Sequence, residues 1–188
     1  TDIPEGLSNV EAISTNFDFS LALKNDGTVV GWGDNDFGQT DIPDNLSNII
    51  SIAAGDLHSL ALNSDGIVVG WGTQSFNLAL PEDLVDISAI EAGYRHSLAL
   101  KENGTVVAWG HNIYGGLNVP ENLSNVFSIS SGYNHALVLK SINNTVEVDG
   151  WGANYQGQLD FFNFCDCNGN VVDCTGVCGG DGQIADYW

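Results

Sequence analysis

The chain has 188 residues, with 24 Asp and Glu against only four Lys and Arg, for a formal net charge of −20. So few cations argue against tracking a phosphate backbone, and 43% hydrophobic against 15% charged residues argues against intrinsic disorder. No run reaches the roughly 20 apolar residues that cross a bilayer, so no membrane span is expected; such an acidic surface suits salty or extracellular water, or a basic partner.

The sequence opens on Thr1-Asp2-Ile3-Pro4, and the same four letters return at Thr40-Asp41-Ile42-Pro43 behind GWGDNDFGQ. Pro4, Pro43, Pro81 and Pro120 recur at intervals of 39, 38 and 39 residues, and Trp32, Trp71, Trp109 and Trp151 at 39, 38 and 42. A fixed period of this size signals a repeat architecture. Four units cover residues 1–159, at about 1–39, 40–78, 79–117 and 118–159. TDIP is the piece that follows a unit, so the chain is expected to begin after an absent unit.

Each unit reads as short strands and tight turns. The first strand is expected over Asn9–Ser14, with counterparts at Asn48–Ala53, Asp86–Ile90 and Asn125–Ile129, all carrying Val or Ile at spacings suited to burial. In the next strand, SLAL, the two-residue period puts Leu21 and Leu23 on one face and Ala22 on the other. Asp26-Gly27, Asp65-Gly66 and Asn103-Gly104 then signal hairpins, because glycine accepts the positive φ such turns need. The third strand ends in GWG, where small flanking residues let the indole lie over neighbouring backbone. No segment carries a helical stripe, so the fold class is all-β. Several short strands per unit point to β-propeller blades packed face to face.

His58, His96 and His135 occupy one position in successive units, so each is expected to bond a neighbouring strand, not to converge with the others on a metal. His111 falls in a turn, where exposure is the default. The turns after GWG place Phe37, Phe76, Tyr114 and Tyr155 in or beside variable loops. They either seal adjacent blades or form a protein interface. No phrase supplies a nucleophile, base and orienting group together, and no glycine-rich turn is followed by the Lys and helix of a phosphate cradle. Neither an enzyme nor a cofactor is expected. Sequons stand at Asn45, Asn103, Asn122 and Asn143.

The recurring phrase IP-x-x-L-x-x-V-x-x-I-x-x-G-x-x-H-S-L-A-L-x-x-D-G-T-V-V-x-W-G-x-N-x-x-G-Q resembles the regulator of chromosome condensation repeat in its short bacterial form. The resemblance implies blades of a seven-bladed propeller, and a family with a type II β-lactamase inhibitory protein of similarly short blades among its members. It implies functions from nucleotide exchange on small GTPases to chromatin binding and enzyme inhibition, carried by rim loops. Fold alone selects none of these. Three positions depart from the pattern: Asn16 for the glycine of Gly55, Gly93 and Gly132, Phe19 for the repeat histidine, and Asn77 for the glycine of Gly38 and Gly157. The fourth unit carries extra residues around Asn143-Asn144-Thr145. Four units are fewer than seven, so an open arc is expected to expose an apolar sheet face at each end.

Residues 160–188 form a separate tail holding all four cysteines, Cys165, Cys167, Cys174 and Cys178. The Cys-x-Cys start suits zinc poorly, and disulfides are expected, as 165–174 with 167–178 or as 165–178 with 167–174. Asp166, Asn168, Asn170 and Asp173 alternate like calcium ligands. The EF-hand pattern fails, because Val171 stands where glycine is needed and Val177 where the bidentate Glu belongs, which leaves a looser oxygen cage as the calcium candidate. The phrase DCTGVCGGDG resembles Asp-Cys-Gly modules near the ends of secreted bacterial surface proteins, which implies secretion and further repetition beyond Trp188. The expectation is a non-enzymatic extracellular or cell-surface module that binds protein, either copies of itself or other surface proteins, within a larger protein or filament. An enzyme inhibitor with an acidic aromatic rim is the alternative.

Overall fold

The computed structural model describes residues 2–73 and 78–160. Phe76, Asn77 and the cysteine tail with its calcium candidates therefore lie outside the described residues. Twelve strands form four three-stranded antiparallel sheets in chain order. Blade 1 holds β1 (Val10–Asn16), β2 (Phe19–Lys24) and β3 (Val29–Gly33); blade 2 holds β4 (Ile49–Ala54), β5 (His58–Asn63) and β6 (Val68–Gly72). Blade 3 holds β7 (Ile87–Ala92), β8 (His96–Lys101) and β9 (Val106–Gly110); blade 4 holds β10 (Val126–Ser131), β11 (His135–Ile142) and β12 (Thr145–Gly152). No helix among the described residues is long and apolar enough to cross a membrane.

The first strand of each blade starts one residue later than its sequence suggests. Asn9, Asn48, Asp86 and Asn125 take positive φ of 53–58° just ahead of it. Asn and Asp tolerate this left-handed conformation better than other non-glycine residues. It turns their carbonyls onto the lower hairpins, where the amides of Asn25, Ser64, Glu102 and Ser141 donate at 2.8–3.0 Å. The hairpin glycines Gly27, Gly66 and Gly104 have φ of 74–81°. In the turns Asp26 Oδ1 accepts from Thr28 N and Asn103 Oδ1 from Thr105 N, both at 3.0 Å. The extra residues of blade 4 lengthen its hairpin to Ile142–Thr145, with Asn143 and Asn144 both at positive φ. All four sequon asparagines are exposed, on this lower edge or in the loops leading to it.

The core lies between blades, not within them. Leu21, Leu23 and Val29 of blade 1 pack against Ile52, Ala61 and Trp71 of blade 2. The second junction repeats this with Leu60 and Leu62 against Ile90, Ala99 and Trp109, and the third with Leu98 and Leu100 against Ile129, Val138 and Trp151. Each blade therefore offers a leucine pair forward and a small residue with a tryptophan backward. The alternation predicted for SLAL is what assigns these two faces.

Two tryptophans also tie the loops. The indole N–H of Trp71 donates to the Gln39 carbonyl at 2.9 Å, which also accepts from Ser59 Oγ at 2.7 Å. Trp151 donates to the Gly116 carbonyl at 2.7 Å. The buried indole N–H of Trp109 finds no acceptor among the described residues; the corresponding loop position there is Leu78.

Candidate functional site

The upper edge of the blades gathers two sets of loops. The short turns between the first and second strands of each blade lie inside, and the segments after GWG lie outside. They are joined by backbone bonds from Asp34 N to Asp18 O, Thr73 N to Leu57 O and Ala153 N to Asn134 O at 2.9 Å, and from His111 N to Arg95 O at 2.7 Å. Gly33, Gly72, Gly110 and Gly152 make these joints, with φ of 94–114° and backbone of the inner turn where a side chain would stand.

On the outer ring Phe37, Tyr114 and Tyr155 are exposed, Tyr155 to 73%. Tyr114 and Tyr155 meet edge to face across blades 3 and 4, with ring centroids 6.1 Å apart. Phe37 is held by its amide on Gln39 Oε1 at 2.9 Å, and Gln39 Nε2 donates to Asp34 Oδ2 at 2.8 Å.

The inner ring carries an aromatic cluster that sequence reasoning missed. Tyr94 and Tyr133 stack at 4.1 Å, and Phe17 tilts against both at 5.6 and 5.5 Å. These residues, with Asp56, form one column of the repeat, directly after Asn16, Gly55, Gly93 and Gly132. Three aromatics in an otherwise polar turn position were the available signal. Arg95 lies over the Tyr94 ring at 4.6 Å. Burial raises the Asp56 carboxyl above its ordinary range; Arg95 opposes this, and the nearby Asp18 and Asp34 charges add to it. Phe17 adopts φ of 46°, an uncommon conformation for a bulky residue, and such strain collects at functional positions.

Below the cluster lies a cavity of about 420 Å³ on the inner side of the blades, lined by residues such as Ser14, Thr15, Glu91 and Ser131. Burial raises the Glu91 carboxyl, opposed by a backbone hydrogen bond from Ser131.

The repeat histidines sit one blade apart and do not converge. His58 Nε2 pairs with Ser97 Oγ at 2.8 Å, and His96 Nε2 with Ser131 Oγ at 2.9 Å. Burial, and then the next histidine along, lowers His58 and His96 each to about 4; burial also lowers His135. A His–Ser contact invites comparison with a nucleophile and its base. Here Ser97 and His58 are both buried and His58 Nδ1 has no partner, so the orienting group and the substrate access are lacking. Among the described residues no three His, Cys, Asp or Glu side chains are grouped to hold a metal ion.

Each histidine ring lies on the glycine three residues before it. A Cβ on Gly55 would fall on the His58 ring, 2.5 Å from Nδ1, and 2.9 Å from the Gly93 carbonyl. Blade 1 departs at both positions together, with Asn16 where the glycine stands and Phe19 where the histidine stands. Gly55→Ala is expected to cost about 1–3 kcal/mol, the range for overpacking a tight site. Urea unfolding checks this, and a His58→Ala change in the same molecule should recover part of the loss if the ring is the obstacle.

The family model "Regulator of chromosome condensation (RCC1) repeat" matches residues 10–39, 49–77, 87–115 and 128–158. Among solved structures, the chain is similar to Prp20p from Saccharomyces cerevisiae at 24% identity and a TM-score of 0.57, over 69% of this chain and 43% of that one. It is similar to human WBSCR16 at 21% identity and 0.66, over 85% and 51%. It is similar also to the CRINKLY ectodomain of the Arabidopsis thaliana receptor kinase ACR4 at 20% and 0.61, over 78% and 52%. The chain thus spans about half the length of these structures, and identities this low speak for the fold alone. No curated protein matches the chain in sequence.

Proposed function

The chain belongs to the regulator of chromosome condensation (RCC1) repeat family, and on that premise we propose that it is a non-enzymatic protein-binding module of an extracellular or cell-surface protein, working within a larger assembly or filament. The observation that carries this reading is the upper rim, where Phe37, Tyr114 and Tyr155 are exposed and Gln39 ties the Phe37 amide to the Asp34 carboxylate, on a chain of net charge −20. Exposed aromatics are the side chains that anchor protein interfaces, and surrounding acid selects a basic partner. Prp20p has binding properties to Gsp1p and histones, so protein recognition has a precedent on this fold. A net charge of −20 opposes nucleic acid as the partner. The cysteines Cys165, Cys167, Cys174 and Cys178 fit the extracellular setting as two disulfides, and four free thiols in the unreduced protein would overturn that part.

The second reading, an enzyme inhibitor that places the acidic aromatic rim against a basic active-site mouth, uses the same surface. Salt separates rim binding of either kind from structural assembly: binding to a basic partner weakens steeply as salt rises, whereas structural polymers hold.

Peptide-display selection against the immobilised chain tests the rim. Basic binders are expected, and Tyr114→Ala with Tyr155→Ala should weaken them by about tenfold or more while leaving stability within about 0.5 kcal/mol. Binders insensitive to both changes would sink the rim reading.

A further inference from the structure

Among the described residues Glu91 is the one acidic or basic side chain in the wall of the inner cavity, and the chain holds no cation to pair with it. Lys24 is held on Asp26 at 3.2 Å and Lys140 on Asp149 at 2.7 Å; Lys101 donates to the Asp83 carbonyl at 2.9 Å, and Arg95 lies over the Tyr94 ring. These four are all the Lys and Arg of the sequence, so residues 161–188 supply none. The His96 imidazole is held on Ser131 Oγ at 2.9 Å, and burial, then His135, lowers it to about 4, so it is uncharged at neutral pH. Burial works against the Glu91 carboxylate, and the Ser131 amide is what opposes it. A desolvated carboxylate without a cation is costly, which gives a positively charged occupant a favourable place.

The mouth of this cavity is made by the departures of blade 1 from the repeat. In blades 2–4 the inner turns are linked by backbone bonds, Asp56 N to Tyr94 O at 3.3 Å and Tyr94 N to Tyr133 O at 3.1 Å. Blade 1 instead closes a two-residue turn between Asn16 and Phe19, and the Phe17 ring reaches Tyr94 and Tyr133. Blade 1 thus meets blade 4 over the cavity through residues of this chain, and Asn16 and Phe17, both without counterpart in the other blades, line it. Phe17 and Tyr133 stay 56% and 48% exposed, which leaves a way in beside them.

We propose that the cavity binds an alkylammonium group, with the Glu91 carboxylate as counter-ion and the Phe17 and Tyr133 rings as its roof. A volume of about 420 Å³ suits a small ligand. Ile52, Ala53 and Ala54 offer apolar wall to the alkyl chain. Ser14 Oγ accepts from Ala54 N at 2.9 Å and has a second lone pair for an ammonium hydrogen. Tyrosine and phenylalanine faces attract cations, as Arg95 over Tyr94 already shows in this cluster. A guanidinium fits less well, because it asks for a bidentate carboxylate and the Ser131 amide already takes part of Glu91. The net charge of −20 raises the local concentration of any cation. The site is separate from the outer rim and does not rest on the reading of Phe37, Tyr114 and Tyr155.

Amide NMR titration of the whole chain with n-butylammonium, in about 0.5 M salt to screen exposed charges, tests this. Saturable shifts are expected in Glu91, Ser131 and Ala54, and n-butanol, the neutral analogue, should leave them unmoved. Glu91→Gln keeps the size and an acceptor for Ser131, so the fold should hold by circular dichroism while affinity falls by about tenfold or more. Phe17→Gly removes the ring at a φ that glycine takes freely, so stability should hold or rise while affinity falls by about threefold or more. Tyr114→Ala with Tyr155→Ala should leave the titration unchanged. A lysine tripeptide blocked at both ends, run beside butylammonium, distinguishes the sources: tighter binding of the peptide points to a lysine side chain of a protein partner, and binding of butylammonium alone to a free amine. No saturable shift with either probe overturns the proposal. So does equal affinity of the parent and Glu91→Gln, or a response to n-butanol as strong as to the amine.

Discussion

Trp71→Ala is expected to destabilise the protein by about 3–5 kcal/mol, whereas Trp32→Ala, the same change one repeat earlier, should cost about 1 kcal/mol or less. Trp71 is buried between blades 1 and 2, where it packs on Leu21 and Leu23, and its indole N–H donates to the Gln39 carbonyl. Truncation removes the ring, opens a cavity and loosens the loop. The carbonyl keeps Ser59 Oγ as a donor, which limits the added cost of an unmet acceptor. Trp32 occupies the same column but faces away from blade 2 and is only half-buried. Repeat proteins are stabilised junction by junction, so the loss at Trp71 should appear locally as faster amide exchange in β1–β3. Urea unfolding at low protein concentration, with hydrogen exchange, checks both parts. Equal losses at Trp32 and Trp71 would mean that the blade, not the junction, is the stabilising unit.

Acid should weaken the fold between about pH 6.5 and 4, by on the order of 3 kcal/mol for each of His58 and His96 at the lower end. Both histidines are buried and neutral, and both have folded values near 4 against an ordinary 6.5. Above 6.5 neither state carries the proton and nothing is lost. Below it the unfolded chain takes up protons that the folded one refuses, so stability falls until the folded histidines titrate. His58 makes the penalty concrete: Nε2 is committed to Ser97 and Nδ1 has no partner to receive a new N–H. Glu91 and Asp56 act the other way, since their folded values are raised and they bind protons before the unfolded chain does. Both carboxylates are shared by parent and histidine variants, so the difference between the two profiles isolates the histidine loss. Urea midpoints across this range, for the parent and for His58→Gln with His96→Gln, read the effect. A double variant whose profile parallels the parent would sink it.

Much of the scaffold was legible because the repeat states each requirement several times. Trp71, Trp109 and Trp151 announce one packing column, and Asp26-Gly27 and its counterparts announce the hairpins. The glycine and histidine columns carry a steric pairing that becomes visible only when the ring is seen lying on the glycine, although Asn16 with Phe19 already showed the two changing together. Asn9, Asn48, Asp86 and Asn125 read as strand residues in the sequence but are left-handed in the fold, because periodicity reports side-chain character and not the sign of φ. Of the rim, the outer aromatics stood out as large side chains in the turns that follow GWG. The inner cluster did not, because Phe17, Tyr94 and Tyr133 are 39 to 116 residues apart in sequence and meet only when the blades curve around a shared axis.

By itself the sequence determined the period, the all-β class, the alternation that gives each sheet a leucine face and a small-residue face, and the acidity that opposes nucleic acid. Local chemistry is sufficient for these, since turns, two-residue alternation and charge act over a few positions. Only the tertiary structure decided which residues make the three blade junctions, which hydroxyl His58 and His96 each serve, and that Phe17, Tyr94 and Tyr133 meet on the inner rim. The physical reason is that these contacts join residues of different blades, tens of residues apart in sequence, so they exist only once the blades have packed.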